Sequence, residues 1–250
     1  DIQVIIPRDS TTKDIAEILQ ENGVINHAWL FRFVVKMNGE GGNFQYGIYN
    51  LNSQMPYEEI IDELQQNAPK LDAVRITIKE GETLQDVAQA LEDAEVCPAE
   101  DFINVINKQT FDLPFEEYVE NDPLKFHRIE GYVFPDTYEF YLGQAPESVA
   151  KTILTNFENK ITTDLWGRME ELNMSLEDTI TLASIIQAEA GDPAEMKKVA
   201  GVFYNRLENP EEYPKLESDP TRKYVEEYIK PYDALENEEM YKAYNTYEGD

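Results

Sequence analysis

An internal repeat constrains the fold of this chain more than any other feature of its sequence. The same residue types return in the same order at an offset of 72 residues, and after a 17-residue insertion they return at an offset of 89. Self-similarity of this kind indicates that one structural unit occurs twice. The matched pairs include Ile6 and Ile78, Thr11 and Thr83, Asp14 and Asp86, Ile15 and Val87, Leu19 and Leu91, and Tyr49 and Tyr138.

The first copy predicts the element order strand, helix, helix, strand, helix. A short apolar run before Pro7 is typical of a buried strand, and the next segment carries apolar residues at helical spacing up to Gly23. The predicted elements are a strand at 2–6, helices at 11–23 and 29–36, a strand at 44–51 and a further helix whose first part is 57–65. We therefore expect two βααβ units, residues 1–72 and 73–145, with an inserted loop near 108–129 in the second.

Residues 175–207 predict two consecutive helices. Ser175, with an acidic residue three positions later, is typical of a capping box at the start of the first helix. Gly191 suits the end of that helix, and Asp192 is a start signal for the second. We therefore expect the two helices to meet just beyond Glu189. Further signals for the second helix are Pro193, Glu195, Val199, Val202, Phe203 and Leu207.

Glu189 lies at the predicted end of the first helix, on an apolar stripe. Leu182, Ile185 and Ile186 precede it by seven, four and three positions, which places them on its helix face. Apolar surroundings favour the neutral form of a carboxyl group, the form that a general acid needs near neutral pH. Spacing alone equally allows a structural role, in which the carboxylate pairs with a nearby cation. The nearby cations are Lys197, Lys198 and Arg206.

Composition argues against nucleic acid, an anionic membrane surface and a metal ion as direct partners of this chain. Fifty acidic and 21 basic residues give a formal charge of -29, which repels nucleic acid and disfavours direct contact with an anionic membrane. One cysteine and two histidines are too few for a usual zinc site, so we expect neither a metal nor another cofactor. The sequence contains no apolar run of about 18 residues and no signal-peptide pattern, so membrane attachment would require an anchor outside residues 1–250.

Five sequence blocks carry a family resemblance. In this order they are similar to the signature blocks of the endolytic murein transglycosylases, the MltG or YceG-like family, and the resemblance covers nearly the whole chain. The blocks are residues 129–141 (IEGYVFPDTYEFY), 182–190 (LASIIQAEA), 202–207 (VFYNRL), 216–221 (LESDPT) and 243–247 (AYNTY).

The resemblance implies an α+β fold with two LysM-like βααβ units, followed by a mainly helical, lysozyme-like catalytic domain over residues 146–250. Relatives continue past the last block, so we expect the catalytic domain to be incomplete at its C-terminus here. The implied activity is extracytoplasmic and membrane-anchored cleavage of nascent peptidoglycan between N-acetylmuramic acid (MurNAc) and N-acetylglucosamine (GlcNAc). This cleavage leaves 1,6-anhydroMurNAc ends and helps to terminate glycan elongation. Glycan strands are the implied substrate, and peptidoglycan synthases and division proteins are candidate partners.

The family's catalytic glutamate corresponds to Glu189. Many relatives have acidic and basic residues where this chain has Gln187 and Ala188, and they commonly have Gln at the position of Glu217. Glu189 is therefore the sole acid of its block. The resemblance also suggests substrate-binding residues, which we expect to approach Glu189 across one groove. They are Asn205, Arg206, Glu217, Ser218, Asp219, Thr221, Asn245, Thr246 and Tyr247, with Glu130 and Tyr132 from the second repeat.

Two other functions remain open at this level. A lysozyme-like muramidase would need a second carboxylate to activate water, and Glu217 or Asp219 are the candidates. A non-catalytic scaffold would bind peptidoglycan through the two repeats alone.

Overall fold

The computed structural model describes residues 2–7, 10–39, 44–65 and 73–247. The chain divides into two compact units, residues 1–74 with 141–145 and residues 75–140 with 146–250. The elements are β1 (Ile2–Ile6), α1 (Thr12–Glu21), α2 (Ala28–Asn38), β2 (Gly47–Leu51), α3 (Tyr57–Gln65), β3 (Ala73–Thr77), α4 (Leu84–Asp93), α5 (Ala99–Lys108), β4 (Thr137–Tyr141), α6 (Pro146–Lys160), α7 (Thr163–Glu171), α8 (Leu176–Glu189), α9 (Met196–Glu208), α10 (Asp219–Tyr224) and α11 (Glu238–Ala243).

The fold is α+β, with helices around two small antiparallel sheets, which confirms the predicted class. Among the described residues, none of the helices combines the length and the apolar character that crossing a membrane requires.

The first unit has the element order that its sequence predicts. β1 and β2 pair antiparallel, with Ile2 opposite Leu51 and Ile6 opposite Gly47. α1, α2 and α3 close the core over this two-stranded sheet, and the buried side chains come from all five elements. Because a two-stranded sheet is marginal by itself, this helical cover supplies most of the stability of the unit. Large buried members of the core include Ile15, Leu19, Phe31, Leu51, Ile61 and Leu64.

The second copy of the repeat shows the same helix cap and the same buried helix position as the first copy. Thr11 and Thr83 each form a capping box at the start of their helix. Ile15 and Val87 are both 1% exposed, which confirms that they occupy equivalent inward positions. The two copies thus share local hydrogen bonding as well as residue types. The likeness to LysM modules, the superposition of the copies and the boundary at residue 145 stay predictions.

The inserted loop of the second copy contributes to the core of its unit. It contains a short 3-10 helix, Pro114–Tyr118, whose Phe115 is fully buried. The Phe115 ring lies 5.7 Å from that of Tyr132 and 4.9 Å from that of Phe157. Its backbone N–H also donates to the carboxylate of Glu158 in α6, at 2.8 Å. The insertion is therefore fixed to α6 by both packing and a charge-assisted hydrogen bond.

The two helices around Glu189 are present, but the second starts later than predicted. Ser175 caps α8 through the expected capping box. α9 begins only at Met196, because the Asp192 carboxylate accepts from the N–H of Ala194 in a tight turn instead of capping a helix. Glu195 makes no side-chain cap, and Ala190, in an extended conformation, ends α8 without a left-handed glycine.

Candidate active site

Glu189 is the last residue of α8, and its side chain is exposed. The expectation that it lies among apolar neighbours is therefore wrong. Leu182 and Ile185 are buried against Phe203 of α9, but this packing ends one turn before the glutamate. Ala188 and the following residues, 191–195, are also exposed. Glu189 is thus open to solvent on the rim of the helix pair.

The carboxylate of Glu189 has no hydrogen-bond or ion-pair partner within the part of the chain that the structure describes. The structural role suggested by Lys197, Lys198 and Arg206 is therefore not realised. Arg206 is engaged elsewhere: its guanidinium donates to the carbonyl of Leu216 and lies 3.7 Å from the carboxylate of Glu217. An unpaired carboxylate at a helix end is free to exchange protons with a ligand.

Two of the sequence blocks meet in a hydrogen-bonded contact, which we name the 218–246 junction after Ser218 and Thr246. The N–H of Glu217 donates to the carbonyl of Thr246 at 2.9 Å. The Thr246 hydroxyl accepts from the N–H of Ser218 at 2.9 Å and donates to its carbonyl at 3.0 Å. Thr221 adds a hydroxyl contact of 3.1 Å to Thr246. The two blocks are therefore in direct contact.

The junction leads directly into α10, and α10 packs against α8, the helix that carries Glu189. Arg206 joins α9 to the same region through its bond to Leu216. The blocks around residues 189, 206, 218 and 246 therefore belong to one set of contacting elements. A common groove across Glu189 stays a prediction.

An exposed cluster lies on the outer side of the junction. Tyr247 donates its hydroxyl proton to Asp219 at 2.8 Å, and Arg222 lies 3.2 Å from the same oxygen. The Arg222 guanidinium also lies 5.6 Å from the centre of the Tyr247 ring. The hydrogen bond to Asp219 raises the pKa of Tyr247. Asp219 is thus already held by two partners.

Two predicted contact residues fill structural roles inside the junction region. The hydroxyl of Ser218 is fully buried and has no hydrogen-bond partner among the described residues, so the structure corrects its assignment as a direct substrate contact. Asn245 uses its side-chain oxygen to accept from the N–H of Tyr247 at 3.0 Å. Asn205, in contrast, is exposed near the end of α9 and is available to a ligand. Glu217 has a left-handed backbone, with φ at +52°.

Glu130 connects the second repeat to α10 and does not line an open cleft as predicted. One carboxylate oxygen accepts from the N–H of Leu84 at 3.0 Å, and the other accepts from the hydroxyl of Tyr224 at 2.6 Å. Burial raises the pKa of this carboxyl group. The following Gly131 has φ of +86°, and a Cβ there would lie 2.7 Å from Ile180 in α8. This close approach explains why a glycine follows the glutamate.

Tyr132 is also internal, because its side chain is fully buried and cannot touch a glycan. Its hydroxyl donates to Glu177 in the first turn of α8 at 2.8 Å. Glu177 also forms an ion pair with Lys125. Burial raises the pKa of Tyr132 to about 12. The prediction of a direct substrate contact is therefore corrected to a role in positioning the start of α8.

Sequence reasoning missed the structural roles of Tyr224, the partner of Glu130, and of Tyr244, whose ring could equally have served to stack on a sugar. The Tyr244 hydroxyl instead accepts from the N–H of Phe126 at 3.1 Å, and its ring lies 5.7 Å from that of Tyr224. The unusual number of tyrosines after residue 200 was the available signal. Tyr224 and Tyr244 hydrogen-bond the C-terminal region to the second repeat. Residue type alone does not distinguish such a structural role from stacking on a sugar.

We expect Thr246→Val to weaken the 218–246 junction. Valine keeps the shape of threonine but leaves the N–H of Ser218 without its acceptor and removes one of the two hydroxyl groups that donate to the Ser218 carbonyl, which costs about 1–3 kcal/mol. Chemical denaturation of the variant should give a correspondingly smaller free energy of unfolding. Thr246→Ser retains the hydroxyl and is the matched control. Equal losses in the two variants would contradict the assigned role of the hydroxyl group.

Comparison with known proteins places this geometry in a family context. The YceG-like family matches residues 4–250. An endolytic murein transglycosylase of Bacillus subtilis (strain 168) is 33% identical over 254 residues, an alignment that covers 98% of this chain and 69% of that protein. One of Streptococcus pneumoniae serotype 2 is 28% identical over 225 residues, which covers 82% of this chain and 40% of that protein.

A solved structure also resembles this chain. The crystal structure of a yceG-like protein from Listeria monocytogenes aligns with a TM-score of 0.52 and 28% sequence identity, covering 90% of this chain and 75% of that one. A family match over nearly the full sequence, together with a relative of this similarity, establishes the relationship. The chain belongs to the YceG-like family.

Proposed function

We propose that this protein is an endolytic lytic transglycosylase that cleaves the MurNAc–GlcNAc bonds of nascent peptidoglycan strands. One observation carries the proposal: Glu189 is an exposed carboxylate without a partner among the described residues, on a helix that packs against α9 and α10. Relatives of the same family are named endolytic murein transglycosylases. A reactive acid open to a long polymer suits cleavage within a strand.

The reaction requires one positioned acid. Protonated Glu189 gives its proton to the GlcNAc oxygen as the bond from that oxygen to the anomeric carbon of MurNAc breaks. The C6 hydroxyl of the same MurNAc then attacks the anomeric carbon, and the Glu189 carboxylate takes the hydroxyl proton. The products are a strand with a free GlcNAc 4-hydroxyl and a strand that ends in 1,6-anhydroMurNAc. Because the nucleophile belongs to the substrate, no second carboxylate is needed.

A glycan strand that covers the end of α8 would itself create the environment that the free protein lacks. Exclusion of water from an exposed carboxylate favours its neutral form, which is the form that donates the proton. Substrate binding and activation of the acid are thereby coupled.

The residues around Glu189 divide into accessible contacts and internal supports. Asn205, Glu217 and Asp219 are exposed, and we assign them to hydrogen bonds with the acetamido and hydroxyl groups of the glycan. Arg206 and Tyr247 are held by Glu217 and Asp219, and we assign them to orienting those carboxylates. The internal supports are Ser218, Thr221, Asn245, Thr246, Glu130 and Tyr132.

We also propose that the protein acts at the extracytoplasmic face of the cell membrane, through an anchor outside residues 1–250. Nascent strands are made there, so enzymes that synthesise peptidoglycan and proteins that divide the cell are the expected neighbours. The formal charge of -29 suits a neutral glycan substrate better than an anionic lipid surface.

Digestion of uncrosslinked glycan strands, followed by mass spectrometry, tests the function. We expect products with 1,6-anhydroMurNAc ends and an early spread of intermediate strand lengths, as internal cleavage produces. Accumulation of disaccharides alone would contradict the endolytic assignment. Binding without any new ends would favour the non-catalytic scaffold.

A further inference from the structure

The second unit contains an open groove at the opposite end of α8 from Glu189. Its volume is about 710 Å³, and the inserted loop and α7 form its two walls. Leu176, the first residue of α8, lines the groove. α8 has 14 residues, so at about 1.5 Å per residue its two ends are about 20 Å apart. The groove is therefore separate from the candidate active site.

Three carboxylates give the groove negative charge, and the charge of Lys125 interacts with one of them, Glu120. Glu117, Glu120 and Glu170 line it, all three are exposed, and their carboxylates have no hydrogen-bond or ion-pair partner in the described chain. None of the residues that line it is Lys or Arg. The nearby cations are occupied, because Lys125 pairs with Glu177 and Arg168 lies 2.6 Å from Glu171.

Two aromatic rings stand beside these carboxylates. The rings of Tyr118 and Trp166 have centroids 4.7 Å apart and are inclined at 51° to each other. Tyr118 is 54% exposed, which is a large fraction for an aromatic side chain that packs on another ring. Buried Met169 and Leu176 lie beneath. Tilted aromatic faces next to carboxylates form the environment that attracts a Lys or Arg side chain.

The insertion explains how this surface arose. Glu117, Tyr118 and Glu120 all belong to the inserted loop, which the first repeat lacks. Phe115 already fixes that loop to the core, so the exposed Glu117 and Glu120 are not needed for packing. The side chains of all three residues face α7 and Trp166 across the groove.

We propose that this groove is a docking site for a basic segment of a partner protein, with one Lys or Arg side chain over the exposed face of Tyr118 beside Trp166 and further cations on the three carboxylates. Single exposed ion pairs and cation–π contacts are weak, so the docking is of low affinity and falls with increasing salt. The site acts independently of cleavage at Glu189.

Tryptophan fluorescence provides the test. The chain has two tryptophans, so Trp29→Phe makes Trp166 the only reporter. The probe is hexalysine amide, with hexaglutamate and a chitin tetrasaccharide as comparison ligands. We expect saturable quenching by hexalysine at low salt, loss of binding at high salt, and no saturable response to the other two ligands.

Variants distinguish this site from general attraction to an acidic protein. In the Trp29→Phe background, Glu117→Gln with Glu120→Gln should weaken hexalysine binding about fivefold, since two exposed ion pairs are lost. Glu211→Gln with Glu212→Gln removes the same charge from another exposed segment and should change binding less than about twofold. Equal weakening by both pairs, or saturable quenching by the tetrasaccharide in place of hexalysine, would overturn the proposal.

Discussion

Replacing Glu189 with Gln is expected to reduce strand cleavage by about a hundred- to ten-thousandfold. Glutamine keeps the size and polarity of the side chain at this exposed helix end but cannot donate or accept the proton. We expect the upper end of the range, because the same group acts as acid and then as base. The measurement is the rate of release of 1,6-anhydro products by the wild type and the variant.

Glu208→Gln is the matched control for this experiment. Glu208 is also exposed and is the last residue of its helix, α9, so its replacement should leave the rate within about twofold of wild type. Both variants should unfold at the same temperature as wild type. A rate above about a tenth of wild type for Glu189→Gln would rule out an obligatory general acid at this position.

Glu130→Ala is expected to cause the largest loss of stability among the site substitutions. The N–H of Leu84 and the hydroxyl of Tyr224 would both lose their acceptor. Each unsatisfied buried group costs about 1–3 kcal/mol, so we expect the free energy of unfolding to fall by about 2–6 kcal/mol. Denaturant titration measures this directly. Cleavage should also decrease, because Tyr224 is the last residue of α10, which packs against α8.

Glu130→Gln is the informative control. Burial raises the pKa of Glu130 from its ordinary value of 4.5, so the neutral acid is favoured and a neutral amide resembles it. We expect Gln to retain most of the stability that Ala loses. In the wild type, a raised folded-state pKa means that the contribution of this group to stability is greatest below pH 4.5 and decreases as pH rises through 4.5 towards the folded-state pKa. Glu130→Gln should lack that part of the pH dependence, and equal damage from Gln and Ala would contradict this assignment.

Local structure followed closely from the sequence because its causes are local. The capping box predicted at Ser175 depends on a residue three positions later and is present, and Thr11 and Thr83 form boxes of the same kind. The repeat predicted equivalent inward positions for Ile15 and Val87, and both side chains are buried. Asp192 was the exception: the same side chain can cap a helix or close a turn, and the local pattern does not choose between them.

The environments of the site residues were less predictable because distant segments determine them. The apolar face of α8 was read correctly, but whether Glu189 is covered depends on other segments, and the residues that follow it, 191–195, are all exposed. Glu130 and Tyr224 are 94 positions apart, and no local periodicity links them. The 218–246 junction was not predicted, because the order of the family blocks indicated only that both blocks approach Glu189. Its hydrogen bonds, which leave Ser218 buried, could not be read from the motif.

The central claim is that Glu189 serves a reaction in which the substrate supplies its own nucleophile. Digestion of glycan strands in water enriched in oxygen-18, followed by mass spectrometry of the new ends, tests it most directly. The lytic mechanism predicts 1,6-anhydroMurNAc ends that contain no oxygen from the solvent. One oxygen-18 atom on each new reducing end would contradict the account, and it would instead indicate a hydrolase in which Glu217 or Asp219 activates water.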